Sequence, residues 1–85
     1  MEIEAKTNVN HPDHYQSNKG IECIEAIEAA TEGVPAKEAF GVGTAIKYLW
    51  RYRKKGRPIE DLEKAKWYID RVIRIIKQEE NTIEY

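Results

Sequence analysis

An alternating three-four spacing of apolar residues in the last third of the chain constrains the fold most. The spacing joins Leu62, Ala65, Ile69, Val72 and Ile76. It is typical of the seam of an amphipathic helix that packs in a helical hairpin or bundle. Pro58 suits the first turn of such a helix. The pattern therefore predicts a long helix beginning at Pro58.

Two shorter helices are predicted before it. Apolar residues recur every three positions from Ile21 to Ala30, and Gly33 is placed to end this helix near Thr31. A second helix begins at Pro35 and carries its cations up to Gly56, which is placed to stop it. No segment alternates like a strand. The sequence predicts an all-α fold, a three-helix small domain with a helical hairpin.

The 85 residues form one domain, and its core is small. We expect a flexible lead-in at residues 1–9, a single helical domain at 10–80 and a frayed C-terminus at 81–85. Cys23 is the only cysteine, so no internal disulfide can support this core. We therefore expect a homo-oligomer.

The N-terminus has neither a basic-then-apolar signal pattern nor a run long enough to span a membrane. We expect no membrane partner and a cytoplasmic location, in the host cell if the chain is phage-encoded.

Charge is unevenly distributed along the chain. No acid occurs between Glu38 and Glu60, a stretch that contains Lys47, Arg51, Arg53, Lys54, Lys55 and Arg57. The whole chain has 14 Lys and Arg against 15 Asp and Glu, so the remainder is acidic and argues against a long nucleic acid as partner. A small anionic ligand suits this local patch better.

Helical spacing places Thr44, Tyr48, Arg51 and Lys55 on one face of the second helix, with Lys47 and Lys54 beside it. Arginine grips phosphate bidentately, lysine supplies a point charge and a tyrosine ring can stack on a base. The face is either a phosphate-binding surface or a solvated basic one.

Other features keep two interpretations each. Gly41 and Gly43 permit either a neighbouring helix or a ligand to approach the backbone of the second helix closely. His11, Asp13 and His14 form an ordered turn or a metal cluster, and we favour the turn because Pro12 breaks their spacing. The acidic stripe of the first helix either holds Mg²⁺ or is a solvated face, and it comprises Glu22, Glu25, Glu28 and Glu32. We assign no metal, no cofactor and no catalytic residue.

Two features of the third helix point to contacts. Asp61, Lys64 and Tyr68 share a face that can meet the basic end of the second helix across the turn at Gly56, or else form an ordinary ion pair. Trp67 lies off the apolar seam, which suggests a subunit interface.

Four blocks of the chain, NHPDHY, GIECIEAIEAA, GVGTAIKYLWRYRKKG and EDLEKAKWYIDRVI, occur in an order that resembles the SaV-like family of small bacteriophage proteins. Members of that family are often labelled nucleotide kinases. The resemblance implies a ligand-binding site at His11, His14, Tyr15, Lys47, Tyr48, Arg51, Lys54, Lys55, Asp61 and Lys64. Thr44 departs from the asparagine usual there.

Three functions fit this sequence. The first is a phage-type protein that binds and sequesters a phosphorylated nucleotide, or a nucleotide immune signal, without catalysis. The second is a nucleoside monophosphate kinase, which lacks a conventional phosphate-binding loop here because GVGTAIK does not supply the motif. The third is a helical protein–protein adaptor. Whether the chain is an enzyme stays open at this point.

Overall fold

Three helices form the part of the chain that the computed structural model describes, residues 20–84, with side chains described to residue 80. They are α1 at Cys23–Thr31, α2 at Ala36–Arg51 and α3 at Pro58–Glu84. No strand occurs in this range, so the all-α prediction is confirmed for it. α2 lies in the middle and packs against both α1 and α3.

Local chemistry at both ends sets the extent of α1. A capping box begins it, in which the backbone N–H of Glu22 donates to the carboxylate of Glu25 at 2.8 Å. Past its end, Gly33 has a φ of 76°, a left-handed conformation that glycine adopts without strain. Ile21 and Ile24 remain exposed while Cys23 is buried, because a strict spacing of three drifts around a helix instead of following one face.

α2 is shorter than the sequence predicted. It ends at Arg51, and residues 52–55 form a turn in which the backbone N–H groups of Lys54 and Lys55 both donate to the carbonyl oxygen of Arg51. Lys55 therefore lies beyond the last residue of α2, and its place on the same face as Arg51 stays a prediction. Gly56, with a φ of 100°, redirects the chain toward α3.

α3 begins at Pro58 as predicted, and its helical backbone continues to Glu84. The frayed C-terminus and the other domain limits stay predictions. The apolar seam of α3 is only partly buried. Ala65 and Val72 are buried, whereas Leu62 and Ile69 are 40 % and 43 % exposed. Only part of the apolar pattern is used inside the chain.

The two glycines of α2 permit close approach of both neighbouring helices. A Cβ atom built on Gly41 would lie 2.5 Å from Cγ2 of Val72 on α3, and one built on Gly43 would lie 3.0 Å from Cγ2 of Ile27 on α1. Both glycines are buried. The helix-crossing interpretation is therefore confirmed, and α2 can receive a helix on each side because it lacks two side chains.

The acidic stripe of α1 faces solvent, since Glu25, Glu28 and Glu32 are exposed. Within residues 20–84 no cluster of three or more His, Cys, Asp or Glu side chains is arranged to hold a metal ion. In the same range no helix is long and apolar enough to cross a membrane. The His11, Asp13 and His14 turn and the lead-in at residues 1–9 lie outside the described residues.

We expect Gly41→Ala to destabilise the protein by about 1 kcal/mol. Forcing a methyl group against the stiff side chain of Val72 costs roughly 1–3 kcal/mol, which exceeds the gain of about 1 kcal/mol from replacing glycine inside a helix. Urea unfolding measures the difference. In the matched variant Gly43→Ala the new methyl group would meet Cγ2 of Ile27 at the longer distance of 3.0 Å, so the loss should be smaller, and equal losses at both positions would contradict this account.

Candidate functional site

A largely buried ion pair joins the end of α2 to the start of α3. Nε of Arg51 donates to Oδ2 of Asp61 at 3.3 Å, and Nη2 donates to Oδ1 at 3.4 Å. The two side chains are 12 % and 4 % exposed. Two bonds in this forked arrangement fix the orientation of the guanidinium group relative to the carboxylate. Arg51 therefore uses its guanidinium group to hold the hairpin together.

Tyr48 lies above this pair and is surrounded by cations. Its ring centroid is 4.7 Å from Nζ of Lys47, 4.8 Å from Cζ of Arg51 and 5.5 Å from Nζ of Lys64. The ring of Tyr68 is stacked on it, with centroids 6.2 Å apart and planes at 23°. We call these five residues, Lys47, Tyr48, Arg51, Lys64 and Tyr68, the Tyr48 cluster. Helices α2 and α3 both contribute to it.

The two lysines of the Tyr48 cluster differ in their partners. Nζ of Lys64 lies 2.9 Å from Oε2 of Glu60, one turn earlier on α3. This hydrogen bond and charge raise the pKa of Lys64 and lower the pKa of Glu60. Lys47 is half-buried and has no carboxylate partner among the described residues.

A shallow groove between α1 and α2 leads to Lys47. Its volume is about 260 Å³, and it is lined by Ile27, Ala39, Phe40, Gly43, Thr44 and Lys47. Phe40 is 65 % exposed, and its ring meets that of Tyr68 edge to face at 6.1 Å. The hydroxyl of Thr44 donates to the carbonyl oxygen of Phe40 at 2.8 Å. The groove is thus lined by one aromatic ring, that of Phe40, and by one cation, Lys47.

The other predicted cations lie further along the chain. Nζ of Lys54 is 5.8 Å from the ring centroid of Trp50, and Lys55 is exposed in the turn after α2.

Cys23 is buried beside this region, and burial raises the pKa of its thiol although the charges of Lys47 and Lys54 oppose the shift.

Half of the predicted site residues are brought together here: Lys47, Tyr48, Arg51, Asp61 and Lys64. Lys54 and Lys55 lie in the turn after α2. His11, His14 and Tyr15 lie outside the described residues.

Sequence reasoning missed two contributors to the site. Glu60 neutralises Lys64, and its position four residues before a lysine on a helix is the signal that could have revealed it. Phe40 lines the groove, and it lies seven residues before Lys47, a spacing that returns to nearly the same side of a helix. Trp67 packs edge to face on Tyr68 at 4.9 Å and is 55 % exposed.

Together, the fold and the site define a small all-α protein with a basic and aromatic surface on a helical hairpin. The chain belongs to the family described as a protein of unknown function, DUF3310, which matches residues 9–70. It is also similar to the Gene 1.7 protein of Enterobacteria phage T3, with 37 % identity over 68 residues, covering 76 % of this chain and 41 % of that protein.

The chain thus spans less than half the length of this phage relative. No solved structure matches it. The findings support a small phage-type protein of unknown function. The SaV-like resemblance, the nucleotide kinase label and the cytoplasmic location stay predictions.

We expect Asp61→Asn to destabilise the fold by about 3 kcal/mol, because breaking a buried ion pair leaves a charge facing a neutral group. Urea unfolding monitored by circular dichroism measures the loss. The same substitution at Asp70, an exposed residue of α3, should cost less than about 0.5 kcal/mol. Similar losses in the two variants would show that the Arg51–Asp61 pair does not hold the hairpin.

Proposed function

We propose that this protein binds a small phosphorylated ligand with a flat ring, of the nucleotide class, at the groove beside the Tyr48 cluster. The observation that carries the proposal is Lys47, a half-buried cation beside a tyrosine ring and without a carboxylate partner in the described part of the chain. A phosphate group would supply the missing negative charge.

The neighbouring contacts supply the rest of a nucleotide site. The exposed ring of Phe40 offers a surface on which a base can stack. Nζ of Lys64 lies 5.5 Å from the ring centroid of Tyr48, and this side chain can turn from Glu60 toward a second phosphate oxygen. Arg51 contributes positive potential while it remains paired with Asp61.

Binding without catalysis is the form of the proposal that this surface favours. A kinase must position two nucleotides with Mg²⁺ and exclude water from the transferred phosphoryl group. The groove of about 260 Å³ is open and smaller than most pockets for small molecules. Similarity to a phage protein makes sequestration of a nucleotide, including one used as an immune signal, the biological role we attach to this binding.

Two other functions are alternatives that experiment separates. The nucleoside monophosphate kinase requires that ATP and a monophosphate be converted to new products. The helical adaptor is favoured by exposed apolar side chains such as Leu49 and Ile69, and it requires no nucleotide. Calorimetry with mono-, tri- and cyclic nucleotides, followed by chromatography of the ligand, distinguishes all three.

We expect Lys47→Ala to weaken nucleotide binding at least tenfold, since it removes the cation that has no carboxylate partner. Isothermal titration calorimetry measures the affinity, and circular dichroism checks that helix content is retained. The control is Lys66→Ala, which removes the same charge from an exposed position of α3. If both variants lose affinity equally, the binding is only a general attraction to positive charge. If the wild-type protein binds nucleosides as tightly as nucleotides, the phosphate site is wrong.

Glu60→Gln should strengthen nucleotide binding by about two- to fivefold at neutral pH, because it releases Lys64 and removes a competing negative charge. The pKa of Glu60 is lowered, so its pair with Lys64 is present above the unfolded carboxyl pKa of about 4.3. The pair is lost as the pH falls through the lower folded value. Calorimetry at pH 7 compares this variant with Glu63→Gln, an exposed neighbour. Equal affinities in the two variants would remove Lys64 from the proposed site.

A further inference from the structure

A second groove lies between the start of α2 and the second half of α3. Lys37 and Phe40 of α2 and Arg71 and Ile75 of α3 line it, and we call it the Arg71 groove. Its volume of about 930 Å³ falls within the range of roughly 300–1,000 Å³ that is usual for small-molecule pockets. It is open to solvent, and it is larger than the groove that leads to Lys47.

Arg71 brings to this groove a positive charge that no described residue neutralises. Its side chain is half-buried, and it forms no hydrogen bond, ion pair or ring contact with residues 20–80. The guanidinium group has five N–H donors in a fixed fork, a geometry that matches carboxylate and phosphate groups. Lys37 is exposed and lines the same groove. The Arg71 groove therefore offers two cations to an anionic group.

The Arg71 groove also contains one carboxylate and one amide. Glu79 and Gln78 line it on α3, and Glu79 forms no ion pair with either Arg71 or Lys37. A carboxylate accepts hydrogen bonds from the hydroxyl groups of a ribose, as it does in dinucleotide-binding proteins. Two cations against one acid leave the groove positive. This set of groups suits a phosphorylated sugar better than a bare inorganic anion.

Phe40 connects the two grooves. Its ring lines both of them, is 65 % exposed and meets the ring of Tyr68 edge to face. The polar and aromatic residues on this side of the hairpin recur at intervals of three or four: Lys37, Phe40, Thr44 and Lys47 on α2, and Lys64, Tyr68 and Arg71 on α3. The rings thus occupy the middle of a strip that has cations at both ends.

The spacing of the two cationic ends indicates what the strip can hold. Lys64 and Arg71 are seven residues apart on α3, a rise of about 10 Å along the helix axis. The ring of Tyr68 belongs to the turn between them. Two phosphate groups with a nucleoside between them match this order of cation, ring and cation.

We propose that the Arg71 groove binds a second phosphate group of the same ligand, so that the protein selects a 5′-phosphorylated dinucleotide over a mononucleotide. The two phosphates of such a ligand flank one nucleoside, whose base stacks on Phe40. One phosphate lies at Lys47 and the other at Arg71, while Glu79 accepts hydrogen bonds from a ribose. The inference rests on the proposed function, because that function assigns the first phosphate to Lys47.

Calorimetry with two nucleotides of similar negative charge tests the spacing. ADP carries its phosphates side by side, whereas the dinucleotide pApA carries them on either side of a nucleoside, and the corresponding pairs are measured for guanine, cytosine and uracil. For the preferred base we expect the dinucleotide to bind about tenfold more tightly or better, because only its second phosphate reaches the donors of Arg71. Equal affinities, or tighter binding of the diphosphate, would overturn the proposal. If no nucleotide of any base binds, the proposed function fails and this inference fails with it.

Substitution of Arg71 separates the second phosphate from the second base. Arg71→Ala should weaken dinucleotide binding by about tenfold or more and leave the affinity for a mononucleotide almost unchanged. The matched control is Arg74→Ala, which removes an exposed arginine of α3 that does not line the groove and should change neither affinity. Lys37→Ala, at an exposed position, should act in the same selective way as Arg71→Ala, and it serves if circular dichroism shows that Arg71→Ala fails to fold.

The outcomes distinguish this inference from the proposed function. If Arg71→Ala and Lys37→Ala bind the dinucleotide as tightly as the wild-type chain, while Lys47→Ala still loses mononucleotide affinity, the second phosphate site is wrong and the proposed function stands. If Arg74→Ala weakens dinucleotide binding as much as Arg71→Ala does, the gain comes from general attraction to positive charge, and the second phosphate site is again wrong.

Discussion

The ion pair between Arg51 and Asp61 is the interaction on which the rest of this structure depends. It joins the last residue of α2 to the first turn of α3 across a short turn, and both side chains are largely buried. Such a pair costs desolvation energy, so it contributes more to defining one arrangement than to net stability. Its geometry sets the relative position of α2 and α3. The stacking of Tyr48 on Tyr68 follows from that position.

The hairpin held by this pair has two chemically different sides. One side collects rings and cations around Tyr48, and the other side presents leucine and isoleucine. Small residues at the helix crossing make this division possible. Because Gly41, Ala45 and Ala65 lie in the contact, α2 and α3 approach closely while several leucine and isoleucine side chains of both helices stay exposed.

Much of the fold could be predicted from local chemistry. The start of α3 at Pro58 and the end of α1 before Gly33 follow from backbone preferences of single residues. The end of α2 could not be predicted so well, because no single residue between Arg51 and Gly56 stops a helix by itself. The cluster at Tyr48 was predicted in outline, since the spacing of Lys47, Tyr48 and Arg51 requires only one helix. Glu60, which comes from α3, was missed.

The sequence by itself determined the helical periodicity, the acid-free basic stretch and the glycines that allow helices to cross, because each depends on neighbours within a few turns. Only the tertiary structure decided how those features are used. It paired Arg51 with Asp61 and left Lys47 without a carboxylate partner in the described range. It also split the seam of α3, burying Ala65 and exposing Ile69. The physical reason is that periodicity shows which residues share a side of a helix, whereas packing between helices determines which side is covered.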